Sequence, residues 1–87
     1  MGKEYTLKVP AVSQAGVSVA LREHLAPLLQ RLDPEASNAF PSVYAVAVPE
    51  GLYICDNLTN STVASTVLRA ALDLLLLYAP SVTVTEE

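Results

Sequence analysis

The chain has 87 residues, of which 52% are hydrophobic and 16% charged, and its formal net charge is -4. A single domain of this length buries only about 60 to 65% of its unfolded surface, so this apolar composition predicts that some hydrophobic area lies in an interface. The basic residues are scattered and form no patch for a polyanion, which excludes nucleic acid as an expected partner; they are Lys3, Lys8, Arg22, Arg31 and Arg69.

The expected compartment follows from the cysteine content and the N-terminal sequence. Cys55 is the single cysteine and cannot form an internal disulfide, which is typical of a reducing compartment. Residues 1–4 lead directly into an alternating strand pattern and do not resemble a signal peptide. The longest apolar run is short for a membrane span and contains Arg69 and Asp73. We expect a soluble, cytoplasmic protein without a membrane partner, and one domain over residues 1–87.

The first strand and the first helix are predicted from periodicity. Residues 3–9 alternate between apolar and polar side chains, which indicates a strand with one buried face. A loop is expected over residues 11–16. From Val17 the leucines recur at steps of three and four, which predicts an amphipathic helix that ends at Asp33. Pro27 lies on its polar side, so the buried stripe is preserved.

A β-hairpin is predicted around Pro49-Glu50-Gly51, because strand-forming residues flank a proline followed two residues later by glycine. A three-residue turn of this kind pairs Val48 with Leu52. In that register, Tyr44, Val46 and Val48 share the core face with Leu52 and Ile54. The opposite, uncovered face then carries Val43, Ala45, Ala47, Tyr53 and Cys55.

The second helix is predicted over residues 63–79 and is unusually apolar; its N-cap is expected to be Asn60, Ser61 or Thr62. Its hydrophobic arc covers roughly 220° of the circumference at about 100° per residue, whereas a helix that covers one sheet needs little more than about 100°. Leu76 falls inside the polar arc, and Leu72 and Leu77 flank it. The excess predicts a second contact surface on this helix. Residues 81–85 form a last short strand.

The predicted order of elements is strand, helix, strand, strand, helix, strand. This order is typical of an α+β, ferredoxin-like βαββαβ sandwich. In that fold a four-stranded antiparallel sheet of order 4-1-3-2 carries two helices on one face. Residues 43–48 then form an edge strand without a charged residue to discourage pairing.

The sequence predicts neither a catalytic site nor a cofactor. His24 and Cys55 are the single members of their types, and we place Cys55 on the sheet face that points away from the helix carrying His24. Three or four clustered metal ligands are not recognisable. The oxygen-rich run 56–60 lacks the glycine and the distal glutamate of a calcium loop. The chain is therefore interpreted as a non-enzyme.

A small ligand remains an alternative. The hydroxyls of Ser61 and Thr62, with free amides at the start of the second helix, could hold an anion. The order of elements and Gly16-Val17 at the end of the first loop resemble an ACT-type regulatory domain, although Gln14 and Ala15 replace the acidic residue and proline that usually precede this glycine. The resemblance implies pairing through sheet edges and an effector site near Gly16.

The expected function is that of a non-catalytic interaction module that self-associates as a homo-oligomeric structural or regulatory domain. Two alternatives stay open at this point. One is a small acidic inhibitor or immunity-like protein that caps a target protein, and the other is an ACT-like effector-binding domain. The residues expected in the interface are Val43, Ala45, Ala47, Tyr53, Leu72, Leu76 and Leu77.

Overall fold

The computed structural model describes residues 2–87, which form an α+β domain with a four-stranded antiparallel sheet and two α-helices. The elements are β1 (Lys3–Lys8), a 3-10 turn (Ala11–Ser13), α1 (Gln14–Leu32), β2 (Val43–Val48), β3 (Gly51–Asp56), α2 (Ser61–Tyr78) and β4 (Thr83–Glu86). The strand order is β2-β3-β1-β4. The predicted α+β class and the predicted strand order, read from the other end, are confirmed.

The core lies between the sheet and both helices. Leu7 and Leu52 face each other across β1 and β3 and are fully buried. They cluster with Val17 and Leu21 of α1 and with apolar residues of α2; the buried residues of α2 are Ala64, Val67, Ala71 and Leu75. The core face predicted for β1 is confirmed, since Leu7 and Val9 are buried. The opposite face is only partly exposed: Lys8 is exposed, but Thr6 is buried at 8% exposure.

The register of the β2–β3 hairpin differs from the prediction by one residue. Val48 pairs with Gly51, and the turn contains the two residues Pro49 and Glu50. Gly51 also pairs with Lys8 of β1, and the Glu50 carbonyl accepts a hydrogen bond of 2.9 Å from the Val9 N–H. These contacts with β1 hold Gly51 in the ladder, and a one-residue shift exchanges the two faces of β2.

Helix α1 begins three residues earlier than predicted, at Gln14, after the short 3-10 turn. Gly16 lies in its first turn and is exposed. The helix ends at Leu32, as Asp33-Pro34 predicts, and Pro27 is exposed on its outer side. The core stripe of α1 therefore continues past the proline.

Helix α2 begins at Ser61, two residues before the predicted start, and Asn60 is its N-cap. The Asn60 side chain accepts a hydrogen bond of 3.1 Å from the Val63 N–H, which satisfies one of the free amides of the first turn. Within residues 2–87 this helix alone is long and apolar enough to cross a membrane by length and composition, with a mean hydropathy of 1.4, so the expectation that the run is too short for a span is wrong. Its buried residues pack in the core of a compact domain, an arrangement compatible with a soluble protein.

Candidate functional site

Strand β2 forms one edge of the sheet, and its outer side is partly occupied by Asp33. The Asp33 carboxylate is 1% exposed and accepts hydrogen bonds from the N–H groups of Glu35 at 2.9 Å and Val43 at 3.2 Å. The bond from Val43 shows that its N–H points away from β3. Asp33 therefore closes the first position of this edge.

Ala45 and Ala47 are the next residues of β2 whose backbone N–H and C=O groups point away from β3. Alternate residues of an antiparallel strand direct their N–H and C=O groups to the same side, so both alanines point the same way as Val43. Within the chain that the structure describes, no strand lies on that side of β2. These small residues leave four outward backbone groups for a partner or for water.

The hairpin register corrects part of the predicted interface. Val43, Ala45 and Ala47 were expected on the uncovered face, but their partners Asp56, Ile54 and Leu52 place them on the helix side of the sheet. Val43 is 3% exposed and belongs to the core, Ala45 packs against the core, and Ala47 is exposed at the edge. Their side chains do not form the open face.

The open face carries Tyr44 and Val46 of β2 beside Tyr53 and Cys55 of β3. The two tyrosine rings meet edge to face with centroids 6.3 Å apart, a favoured aromatic geometry. Tyr44 and Val46 are both exposed, whereas Tyr53 is half-buried. Of the four sequence-predicted open-face contact residues, Tyr53 alone lies there.

Phe40 extends this apolar surface from the connection between α1 and β2. It is 90% exposed and lines a concave region of about 500 Å³ together with Tyr44 and Tyr53. Asn57 fixes the connection next to the sheet: its Nδ2 donates to the Pro41 carbonyl at 2.7 Å and its backbone N–H donates to the Ser42 carbonyl at 3.1 Å. The exposed phenylalanine is therefore held close to the tyrosine pair.

A polar contact crosses the open face next to these rings. The Tyr53 hydroxyl donates to the Glu4 carboxylate on β1. This hydrogen bond, with smaller contributions from desolvation and from the negative charge of Glu4, raises the pKa of Tyr53 above that of an ordinary tyrosine. The phenol therefore loses its proton at a higher pH than an ordinary tyrosine.

The predicted helical contact residues are only partly exposed. Leu76 is half-exposed and Leu77 is 76% exposed, as the polar arc predicted. Leu72 was expected beside them, but it is half-buried and packs against the core. Leu77 also lines a groove of about 540 Å³ between α1 and α2, with His24 and Asp73 at its sides.

The structure does not bring the predicted ligand positions together. Gly16 is exposed in the first turn of α1, which follows β1, and Ser61 and Thr62 are exposed at the start of α2, which follows β3. Because β1 and β3 are antiparallel, these helix starts lie at opposite ends of the sheet. An effector near Gly16 and an anion near Ser61 would occupy separate places.

The rejected chemical sites can also be placed. His24 lies on α1 beside the helical groove, and Cys55 lies on the open face of the sheet. The sheet separates them, which agrees with the predicted geometry. Among residues 2–87, no group of three or more histidine, cysteine, aspartate or glutamate side chains is arranged to hold a metal ion.

Sequence reasoning missed four residues that shape the β2 surface: Asp33, Phe40, Tyr44 and Val46. A three-residue turn places Tyr44 and Val46 on the core face, but the turn has two residues. Phe40 lies in a connection whose sequence has no periodicity, so its exposure could not be predicted. The hydrogen-bond partner of Asp33, Val43, is ten residues away in sequence, so local patterns do not indicate it. An aspartate directly after a helix and before a proline is the available signal for a residue that binds backbone N–H groups.

Comparisons with protein-family models, with curated proteins and with solved structures give no match.

Proposed function

We propose that this chain is a ferredoxin-like, non-catalytic interaction module of the cytoplasm that self-associates through the edge strand β2. The observation that carries the proposal is an uncharged edge, Val43–Val48, with outward backbone groups at two alanines. Natural proteins usually protect such edges with lysine, proline or a bulge. A second copy of β2 supplies matching donors and acceptors.

Charge supports the same surface. Copies of a chain with a net charge of -4 repel one another, so their contact is favoured where charge is lacking. The side chains of β2 carry no charge on either face of the sheet. Tyr44 and Val46 add apolar contact area on the open face.

The leucines of α2 are the competing surface for self-association. Leu76 and Leu77 are exposed, but scattered surface leucines are common in monomeric proteins. Unpaired backbone groups in a row are a more specific feature, because they define both the partner's strand and its direction. A single strand pair is smaller than a standard interface, so we expect a dissociation constant in about the micromolar range.

A foreign protein partner is the second candidate. The cluster of Phe40, Tyr44 and Tyr53 borders the edge and forms a concave aromatic surface. Aromatic residues are enriched at the centres of protein interfaces. A small acidic inhibitor would use this face to cap its target. The effector-binding alternative depends on the start of α1 near Gly16 and predicts stabilisation by a small ligand.

Sedimentation velocity from low to high micromolar concentration tests self-association. We expect the mass to rise with concentration from the 9.2 kDa monomer towards twice that value. Ala47→Lys should weaken the dimer at least about tenfold, or about 1.4 kcal/mol, because a desolvated ammonium opposes strand pairing.

Val84→Lys is the matched control, since it adds the same charge to a half-exposed valine on the opposite edge strand, β4. It should leave the dissociation constant unchanged. Leu76→Glu distinguishes the two surfaces: loss of the dimer in this variant, with Ala47→Lys still dimeric, assigns self-association to α2. A monomeric unaltered protein at high micromolar concentration contradicts self-association and favours a foreign partner.

A further inference from the structure

The geometry points to one antiparallel register for the second copy, in which the two-fold axis passes beside Val46 and Ala45 of one copy pairs with Ala47 of the other. This inference rests on the proposed self-association through β2. It goes further because it specifies which backbone groups and which side chains meet. Isologous pairing of this kind uses the same strand on both copies.

The outward groups of β2 limit the possible registers. Hydrogen-bonded pairs between copies can form only among residues whose N–H and C=O groups point outward. The hydrogen bond to Asp33 shows that the Val43 N–H points away from β3, so the backbone groups of Ala45 and Ala47 also point away from β3. Val46 points its backbone groups towards β3, and it faces its counterpart in a pair without hydrogen bonds.

Three registers near the centre of β2 differ in the hydrogen bonds that they allow. With Ala45 opposite Ala45, Val43 opposes Ala47, but the Val43 N–H is already bound to Asp33 and cannot donate to the Ala47 carbonyl. With Ala47 opposite Ala47, Ala45 opposes Pro49, which has no N–H to donate. With Val46 opposite Val46, Ala45 and Ala47 exchange all their outward hydrogen bonds. Asp33 and Pro49 therefore act as the two ends of the pairing segment.

The side chains are compatible with this register. The two Val46 side chains meet on the open face, where β-carbons of a directly opposed pair are about 4.5–5.5 Å apart. Tyr44 of each copy lies opposite Val48 of the other. Two Tyr44 residues are then separated by four positions along the strands, or about 13 Å.

Disulfide trapping tests the register. Val46→Cys in a Cys55→Ser background places two thiols within the range of a disulfide, whose α-carbons must lie within about 7 Å. We expect Val46→Cys to form a covalent dimer with oxidised glutathione at least about tenfold faster than Tyr44→Cys in the same background. Circular dichroism of both variants verifies that the exposed positions tolerate cysteine.

Leu77→Cys in the same background serves as the helical control. If the protein sediments as a dimer while Tyr44→Cys or Leu77→Cys, rather than Val46→Cys, forms the covalent dimer, that result overturns the register but not self-association. A protein that sediments as a monomer overturns both proposals. Asp33→Ala gives a second readout in samples that circular dichroism shows to be folded: release of the Val43 N–H admits the register centred on Ala45 and should lower the trapping yield of Val46→Cys.

Discussion

The two edges of the sheet differ in how they meet a potential partner. β2 is six residues long and uncharged, and its outward alanines are small. β4 is four residues long, contains two threonines and ends at Glu86, which is followed by Glu87. Short, charged edges discourage pairing between chains, whereas long neutral ones permit it. The same sheet thus has one protected edge and one permissive edge.

The means of protection also differ. On β4 the charge belongs to the strand itself and to the next residue, whose N–H binds the Glu4 carbonyl at 2.8 Å. On β2 the single charged group at the edge comes from outside the strand, because Asp33 binds Val43 from the end of α1. Asp33 therefore limits the length of the permissive edge without making it unfavourable for pairing.

The largest loss of stability is expected from Gly51→Ala, because Gly51 is the first residue after the turn of the hairpin that contains β2. Gly51 has a φ of 153°, and a β-carbon there would collide with the Leu7 carbonyl oxygen. We expect a loss of at least about 3 kcal/mol of unfolding free energy. Gly16→Ala is the control: a β-carbon meets no atom within 4 Å, so it should stabilise by about 0.4–1 kcal/mol. Urea denaturation measures both, and equal effects would contradict the role of Gly51.

Asp33→Ala is expected to have the next largest effect, since it removes the limit on the β2 edge. It deprives two backbone N–H groups of a charged acceptor and leaves space at a buried position. The expected cost is about 2–4 kcal/mol. Asp33→Asn keeps one oxygen acceptor and should cost less. Hydrogen exchange of the Val43 amide should accelerate in Asp33→Ala, and an unchanged rate would show that Asp33 does not protect it.

The smallest effect concerns the centre of the sheet, between the two edges. Glu4 raises the pKa of Tyr53, so this phenol should titrate later than ordinary tyrosines when absorbance at high pH is followed. Glu4→Gln should return the pKa towards about 10. Because the folded-state pKa exceeds the unfolded value, the stabilisation is present below pH about 10 and is lost as the pH rises through the folded value. A titration curve unaffected by Glu4→Gln would contradict this contact.

The helices and β1 could be predicted because each has one apolar and one polar face. Alternation placed Leu7 in the core, and helical spacing located the exposed Leu76 and Leu77. Local chemistry also limited the cap of α2 to Asn60, Ser61 or Thr62, and Asn60 is the one that accepts the hydrogen bond. These features depend on residues that are close in sequence, so the sequence contains their determinants.

The faces of β2 could not be predicted in the same way. Its residues are apolar on both sides, so the assignment depended on the number of residues in the turn after Val48. That number is fixed by β1, through the pairing of Gly51 with Lys8 and the bond from Val9 to Glu50. A contact between distant strands thus determined that the side chains of Tyr44 and Val46, rather than those of Val43 and Ala45, lie on the open face of the sheet.

The acidic end of β4 has a consequence for the size of any assembly. A neutral six-residue strand rich in valine, alanine and tyrosine has the composition of segments that stack into cross-β fibrils. When a second copy covers β2, the merged sheet presents β4 at both of its outer margins. Glu86 and Glu87 would then repel a third copy, so growth would stop at two chains and open-ended polymerisation would be avoided.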